Sequence, residues 1–112
     1  MARPRLNRAL VLEVPQRTPD GAGGFAQVWT VRGTLWAEMV ARSGREAAGE
    51  ALRLARGGYR ITVRAAPQGA PSRPQPGQRL RDGARLFHIL AVTESGAGAG
   101  YLTLWAEEEV VA

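Results

Sequence analysis

The chain has 112 residues, of which 45% are hydrophobic and only 6% aromatic, so we expect one domain over residues 1–112 with a modest, aliphatic core. It has no cysteine, which excludes disulfides, thiolate metal sites and a cysteine nucleophile, and makes synthesis in the cytoplasm the default expectation. All 15 basic residues are arginines scattered along the chain. The formal charge of +5 therefore favours polyanionic partners without defining a binding patch.

The first apolar stretch predicts a strand and not a membrane segment. Residues 9–14 follow three arginines, but the stretch is too short for a signal peptide or a membrane span and Glu13 interrupts it. Apolar residues recur at every second position over residues 6–14, with one interruption at Arg8, as in a half-buried strand. We therefore expect a β-strand here and no membrane partner.

The next region predicts a hairpin. Residues 18–24 combine one proline, one aspartate and three glycines, which is typical of a chain reversal. Residues 26–42 follow with a second strand pattern, either one bent strand or two, with Gly33 as the expected bulge or bend.

A short helix is predicted after the hairpin. Ser43 and Glu46 have the spacing of a capping box, in which the serine caps the first turn and the glutamate reaches back to its backbone. Acidic residues near the start, arginines near the end and glycines at positions 57 and 58 agree with a helix that ends there. Gly49 weakens it, so the helix is expected to need a docking surface.

The second half of the chain predicts further strands. Residues 59–66 alternate, with Arg60 and Arg64 on the face that points away from the core. Residues 67–76 contain four prolines and are expected to form an exposed, partly extended loop.

Three more strand patterns and an acidic end follow. Residues 79–82 predict a short strand, after which the chain reverses at Gly83. Residues 86–92 are apolar on both faces of the expected strand, which predicts the most buried strand. Residues 101–105 predict the last strand, and residues 107–109 a solvated acidic tail. The total of six or seven strands with one inserted helix predicts an all-β, mainly antiparallel barrel or sandwich.

No pattern of catalytic or cofactor chemistry is present. His88 is the single histidine and lies in an apolar strand, so a structural role is expected rather than a triad or a metal site. The glycine-rich runs lack the lysine of a P-loop and the context of a dinucleotide fingerprint. We therefore predict no catalytic residue, no metal, no cofactor and no enzymatic activity, although an unrecognised enzyme is the third and weakest alternative.

Nucleic-acid binding is the main alternative to a structural role. A small basic barrel could follow a phosphate backbone, and Arg60 and Arg64 lie on one predicted strand face. The three tryptophans, Trp29, Trp36 and Trp105, lie within apolar patterns and are interpreted as core or interface residues rather than a base-stacking platform.

Several short motifs, in their order and spacing, resemble the phage head-tail joining proteins, also called head-closure or stopper proteins. The motifs are LNRAL at residues 6–10, WAE at 36–38, SGRE at 43–46, YRITVR at 59–64, RLFHI at 85–89 and LTL at 102–104. The resemblance spans nearly the whole chain. It departs from the usual pattern at residues 67–78, which form a longer connection, and in the Ala- and Gly-rich stretch after Glu46.

The resemblance implies a small β-barrel in a ring of six copies, with twelve as the alternative, at the head-tail junction of a phage or gene transfer agent made in the bacterial cytoplasm. Such a ring would contact portal and adaptor proteins on one side and tail-terminator and tail-tube proteins on the other, and would retain the packaged double-stranded DNA. We expect Ser43, Arg45 and Glu46 to set helix and interface geometry. Arg60 and Arg64 are expected to contact a neighbouring subunit or channel DNA.

Overall fold

The computed structural model describes residues 3–42, 57–95 and 100–109, and these form a closed antiparallel barrel. Its neighbouring strands follow the order β1-β2-β3-β6-β5-β4. The strands are β1 (Arg8–Pro19), β2 (Phe25–Ala41), β3 (Gly58–Arg64), β4 (Arg79–Asp82), β5 (Arg85–Ser95) and β6 (Tyr101–Glu108). The predicted all-β class and the barrel alternative are thus confirmed. The predicted helix lies outside the described residues.

The core fills the barrel interior with alternate residues of all six strands. Because successive side chains of a strand point to opposite faces, every second apolar residue is removed from water. The fully buried cluster consists of Leu10, Leu12, Ala37, Ile61, Val63, Leu80, Phe87, Ile89, Leu102, Leu104 and Ala106. The core is therefore mainly aliphatic, as the composition predicts.

The second strand is one continuous strand with a bulge beside the predicted bend. In the pairing of β1 with β2, Leu12 faces Gly33 and Glu13 faces Val31, which leaves Arg32 as the extra residue. A bulge of this kind changes which face the following side chains occupy. Consequently, odd-numbered residues of β2 point inward within the barrel, whereas Val31 lies on the outer face with Glu13.

The prediction that residues 86–92 form the most buried strand is wrong. Leu90 is 45% exposed, and Leu86 and His88 are half-buried on the outer face. The register of β5 against β6 shifts between Ile89 and Ala91, so a second bulge accommodates the extra apolar residue Leu90. The sixth strand is the better covered one, since it has buried residues at four of its eight positions.

The proline-rich loop is mostly exposed but not detached, contrary to the expectation that it does not pack. Arg73 and Pro74 are buried, and the Arg73 Nη1 atom donates to the Ala66 carbonyl at 2.9 Å. Gly77 and Gln78 extend the contact through backbone hydrogen bonds with Ile89, at 3.0 and 2.9 Å. The loop therefore covers the edge of β5 that the short strand β4 does not reach.

A two-stranded arm extends beyond the barrel. We call residues 14–31 the arm: β4 pairs with β1 only as far as Glu13, and β3 pairs with β2 only from Ala37 onward. Within the described chain, the two strands of the arm pair only with each other. The molecule measures 54 × 32 × 25 Å, an elongation expected of a barrel with a protruding ribbon.

Candidate assembly surface

Arg60 lies on the outer face of the barrel, as predicted, in a shallow pocket. It is the cross-strand neighbour of Val40 on one side and Trp105 on the other. Together with Arg42 these residues line the pocket, and the Arg42 guanidinium lies 4.6 Å from the centre of the Trp105 ring. Two guanidinium groups beside an indole form a surface that suits a carboxylate, a phosphate or an aromatic side chain.

Arg64 is also exposed but does not share this pocket. It lies four residues further along β3, about 13 Å away at the usual rise per residue, and its cross-strand neighbour is Tyr101. The two arginines therefore form a row along one strand face instead of converging on one ligand.

Ser43, Arg45 and Glu46 lie outside the described residues, so their predicted roles stay predictions. The described residues on either side of this segment are adjacent, because the Arg42 amide donates to the Gly58 carbonyl at 2.9 Å. Arg42, the last described residue before this segment, lines the pocket that contains Arg60.

All three tryptophans lie outside the barrel core, which makes the core interpretation wrong and leaves the interface interpretation as a prediction. Trp36 is 58% exposed on the outer face of β2. Trp105 is half-buried beneath Arg42, and Trp29 is half-buried at the base of the arm. Of the three, Trp36 exposes the largest fraction of its surface, whereas Trp29 and Trp105 are each covered by an arginine of this chain.

A charged cluster joins the arm to the barrel. The Glu13 carboxylate is only 5% exposed and accepts hydrogen bonds from Arg79 Nε at 2.7 Å and Arg81 Nε at 2.8 Å. Burial by itself raises the pKa of Glu13, but the hydrogen bonds and charges of Arg81 and Arg79 together hold this pKa below its ordinary value. Glu13 is therefore ionised at neutral pH and links β1 to β4.

Aromatic contacts extend this cluster to the arm. The Arg79 guanidinium lies 4.1 Å from the centre of the Trp29 ring, and Trp29 meets His88 edge to face at 5.9 Å. His88 in turn places its Nε2 atom 2.7 Å from a carboxylate oxygen of Glu109. These contacts fix the direction in which the arm leaves the barrel.

The prediction of a solvated acidic tail is wrong. Residues 107 and 108 belong to β6, and Arg85 donates two hydrogen bonds to the Glu108 carboxylate, at 2.8 and 3.0 Å. The hydrogen bonds from Arg85 lower the pKa of Glu108, and the same contact raises the pKa of Arg85. Arg85 also donates to the Tyr59 hydroxyl at 3.0 Å, so this pair ties three strands together.

The sequence interpretation missed the arm as a functional feature. Phe25, Val28 and Val31 are 59%, 42% and 56% exposed along it. Phe25 and Val31 lie on one face of the ribbon and Val28 on the other, so both faces of the arm expose apolar side chains. The sequence does contain one indication of the arm. The two strand patterns on either side of the predicted turn are longer than a small barrel needs to form its wall.

The described residues contain neither a candidate metal cluster nor a membrane-spanning helix. Within residues 3–42, 57–95 and 100–109, no three or more histidine, aspartate or glutamate side chains come together as a group that could hold a metal ion. Within the same ranges, no helix is long and apolar enough to cross a membrane.

Comparisons with known proteins agree with the resemblance drawn from the motifs. Residues 1–109 match the family model described as phage head completion protein. A chain in the virion of a native gene transfer agent particle is 55% identical, with a TM-score of 0.80 over 98% of this chain and 100% of that one. A Shigella flexneri 2a protein solved in solution is 24% identical, with a TM-score of 0.73 over 96% of both chains, and shares the fold. No curated protein matches. The chain belongs to the phage head completion protein family.

Proposed function

We propose that this chain is a structural head-tail connector of a phage or gene transfer agent particle, where it closes the DNA-filled head and provides the surface to which the tail docks. The observation that carries the proposal is the family match over residues 1–109 together with the 55% identical chain within a gene transfer agent virion. Near-complete coverage of both chains means that the likeness includes the arm as well as the barrel.

The outer surface supports assembly into a ring. A ring needs two different patches on each subunit, because a head-to-tail contact joins unlike surfaces. The barrel offers the pocket of Arg60 and Trp105 on one strand face, and the exposed Trp36 on the outer face of β2. We propose a ring of six copies, with twelve as the alternative, between portal and adaptor proteins and the tail-terminator and tail-tube proteins.

The arginine row supports a contact with DNA or with a neighbouring subunit. Arg60 and Arg64 are exposed on one strand, and the chain carries a formal charge of +5. Such charge lowers the electrostatic cost of holding a polyanion in a channel. We propose that these two arginines line either the subunit contact or the channel that contains packaged double-stranded DNA.

Deleting the gene and scoring the particles by negative-stain electron microscopy tests the connector role. We expect DNA-depleted, tailless heads together with free tails, because head closure and tail docking fail together. Intact tailed particles would overturn the proposal.

A double substitution tests the arginine row. Arg60→Ala with Arg64→Ala should lower the yield of DNA-filled, tailed particles while the purified barrel keeps its melting temperature, since both side chains are exposed. Arg3→Ala, which removes an exposed arginine from the N-terminal segment, is the matched control. Unchanged assembly and DNA retention in the double variant would contradict the assigned role.

Binding of free nucleic acid is the second candidate function. The observation that favours it is the pocket in which Arg42 and Arg60 flank the Trp105 indole. Backbone binding in free solution weakens steeply with salt, so titration of a duplex DNA fragment at increasing salt separates the two functions. A connector that acts only within the particle shows no salt-sensitive binding as an isolated chain.

A further inference from the structure

The two edges of the arm differ in their ability to accept another strand. Strand β1 has prolines at positions 15 and 19, and each of them lacks the amide proton that an incoming strand would need. From residue 25 to residue 31, β2 has no proline, and no described strand pairs with its outer edge. Proteins commonly protect exposed edges, and here only one edge of the arm is protected.

The hydrogen-bond pattern shows which backbone groups are available on the β2 edge. The Asp20 amide donates to the Gly24 carbonyl at 3.1 Å, so this pair is of the hydrogen-bonded kind. Residue pairs along an antiparallel ladder alternate between hydrogen-bonded and non-hydrogen-bonded. Counting from the pair of Asp20 and Gly24, residues 25, 27, 29 and 31 belong to non-hydrogen-bonded pairs, so their amide and carbonyl groups point away from β1. Pro15 and Pro19 are the cross-strand partners of residues 29 and 25, so they occupy the equivalent outward positions on the opposite edge.

A second copy of this chain offers no matching edge among its described strands. Within the barrel each strand has neighbours on both sides. Beyond the end of β4, the proline-rich loop bonds the edge of β5 through Gly77 and Gln78 at Ile89, and the Arg73 guanidinium lies 3.8 Å from the Glu94 carboxylate. The free edge of β1 is blocked by its prolines. Pairing of β2 with β2 would be isologous and would close as a dimer, which does not build a ring.

We propose that the outer edge of β2 in the arm is a docking site for an extended segment of a different structural protein of the particle, which adds a strand by backbone hydrogen bonding. This proposal rests on the proposed function, since it assumes incorporation into a particle. Strand addition gives affinity through the backbone and specificity through alternate side chains.

The side chains of the arm define the chemistry of the segment that fits. Phe25 and Val31 on one face and Val28 on the other are exposed, which suits apolar residues in the incoming strand. Arg17 on the arm lies 4.4 Å from the centre of the Phe25 ring, and Arg32 at its base donates to the Pro71 carbonyl, so both place positive charge along the arm without a carboxylate partner among these contacts. The Asp20 carboxylate already accepts the Ala22 and Gly24 amides, at 2.8 and 3.0 Å. The complementary segment is therefore free of proline, apolar at alternate positions and acidic.

Proline substitutions on opposite edges of the arm test the proposal in a deletion strain complemented with each variant. Gln27→Pro removes an outward amide from β2, whereas Arg17→Pro removes one from the blocked edge of β1 at the paired position. Gln27→Ala controls for the side chain. We expect Gln27→Pro to lose at least tenfold in the amount of this chain in purified particles, while Arg17→Pro and Gln27→Ala retain it. Retention of Gln27→Pro at the wild-type level, with its melting temperature unchanged, would overturn the docking edge.

A crosslink identifies the occupant. The chain has no cysteine, so Gln27→Cys introduces a single thiol that can carry a photoreactive group into assembled particles. An adduct with a different particle protein supports the proposal, whereas an adduct of two copies of this chain overturns it. If the deletion strain instead forms normal tailed particles, the connector function fails. If deletion abolishes tails but Gln27→Pro does not, only the docking edge fails.

Discussion

The barrel and the arm use the same strand pairing but are stabilised in different ways. In the barrel every strand has two neighbours and every second side chain is buried in a common core. In the arm two strands pair, among the residues that the structure describes, only with each other, and apolar residues such as Phe25 and Val31 are exposed. A two-stranded ribbon alone is marginally stable in water, so the arm depends on its attachment to the barrel at Glu13 and Trp29.

The largest expected difference between the barrel and the arm is in the unfolding free energy lost when a phenyl ring is removed. Phe87 is fully buried and meets Tyr59 edge to face at 5.1 Å, so Phe87→Ala should lower the free energy of unfolding by about 3–5 kcal/mol. Phe25→Ala in the arm should change it by no more than about 0.5 kcal/mol. Urea denaturation of both variants measures the contrast. Similar losses would show that the arm and the barrel share one cooperative core.

The junction between the regions should respond to the loss of its buried charge. Glu13→Gln leaves Arg79 and Arg81 without their carboxylate and should cost about 1–3 kcal/mol of unfolding free energy at pH 7. Because the pKa of Glu13 is lowered in the folded state, its contribution is present above the ordinary value of 4.5 and is lost as the pH falls through the folded pKa. Acid denaturation should therefore be steeper for the wild type than for Glu13→Gln. Acid denaturation curves of equal slope for the two proteins would contradict a stabilising role of the ionised Glu13 carboxylate.

A smaller effect is expected at the turn between β4 and β5. Gly83 has a φ of 63°, a conformation that disfavours residues with a side chain, and no atom lies within 4 Å of a Cβ built there. Gly83→Ala should therefore cost about 1 kcal/mol through the backbone alone, as measured by the thermal midpoint. Ala84→Gly in the same turn is the control. An unchanged midpoint in Gly83→Ala would show that the turn relaxes freely.

The smallest effect on global stability is expected at the tip of the arm. Asp20 holds the turn through the amides of Ala22 and Gly24, and these hydrogen bonds lower the pKa of its carboxyl group. Asp20→Asn should preserve most of the turn, whereas Asp20→Ala should accelerate amide hydrogen exchange at both positions without changing the barrel. Exchange that stays unchanged in Asp20→Ala would show that the backbone pair between residues 20 and 24 suffices.

The sequence predicts the barrel better than the direction of particular side chains. Alternation places Ile61 and Val63 inside and Arg60 and Arg64 outside, as the structure confirms. Alternation gives the wrong face for Trp29. The inward residues of β2 in the barrel have odd numbers, as Trp29 does, but Trp29 lies on the outer face. The bulge at Arg32 reverses the faces, and one sequence gives no measure of where a strand skips a residue.

The candidate assembly surface was predictable in part. Arg60 could be placed on an outer face from its strand, but the pocket it shares with Arg42 and Trp105 depends on the register of three strands. The partners of Glu13 are 66 and 68 residues away in sequence, so local patterns could not reveal the two ion pairs of this buried carboxylate. The acidic end was misread for the same reason, since Glu108 is satisfied by Arg85 on the neighbouring strand.

Closure of the barrel at Glu13 has an evolutionary consequence. Because β4 completes the cylinder there, the arm contributes nothing to ring closure of the sheet. Selection for a closed, filled barrel therefore acts on the interior residues of the six strands, whereas residues 14–31 are constrained by their own contacts alone.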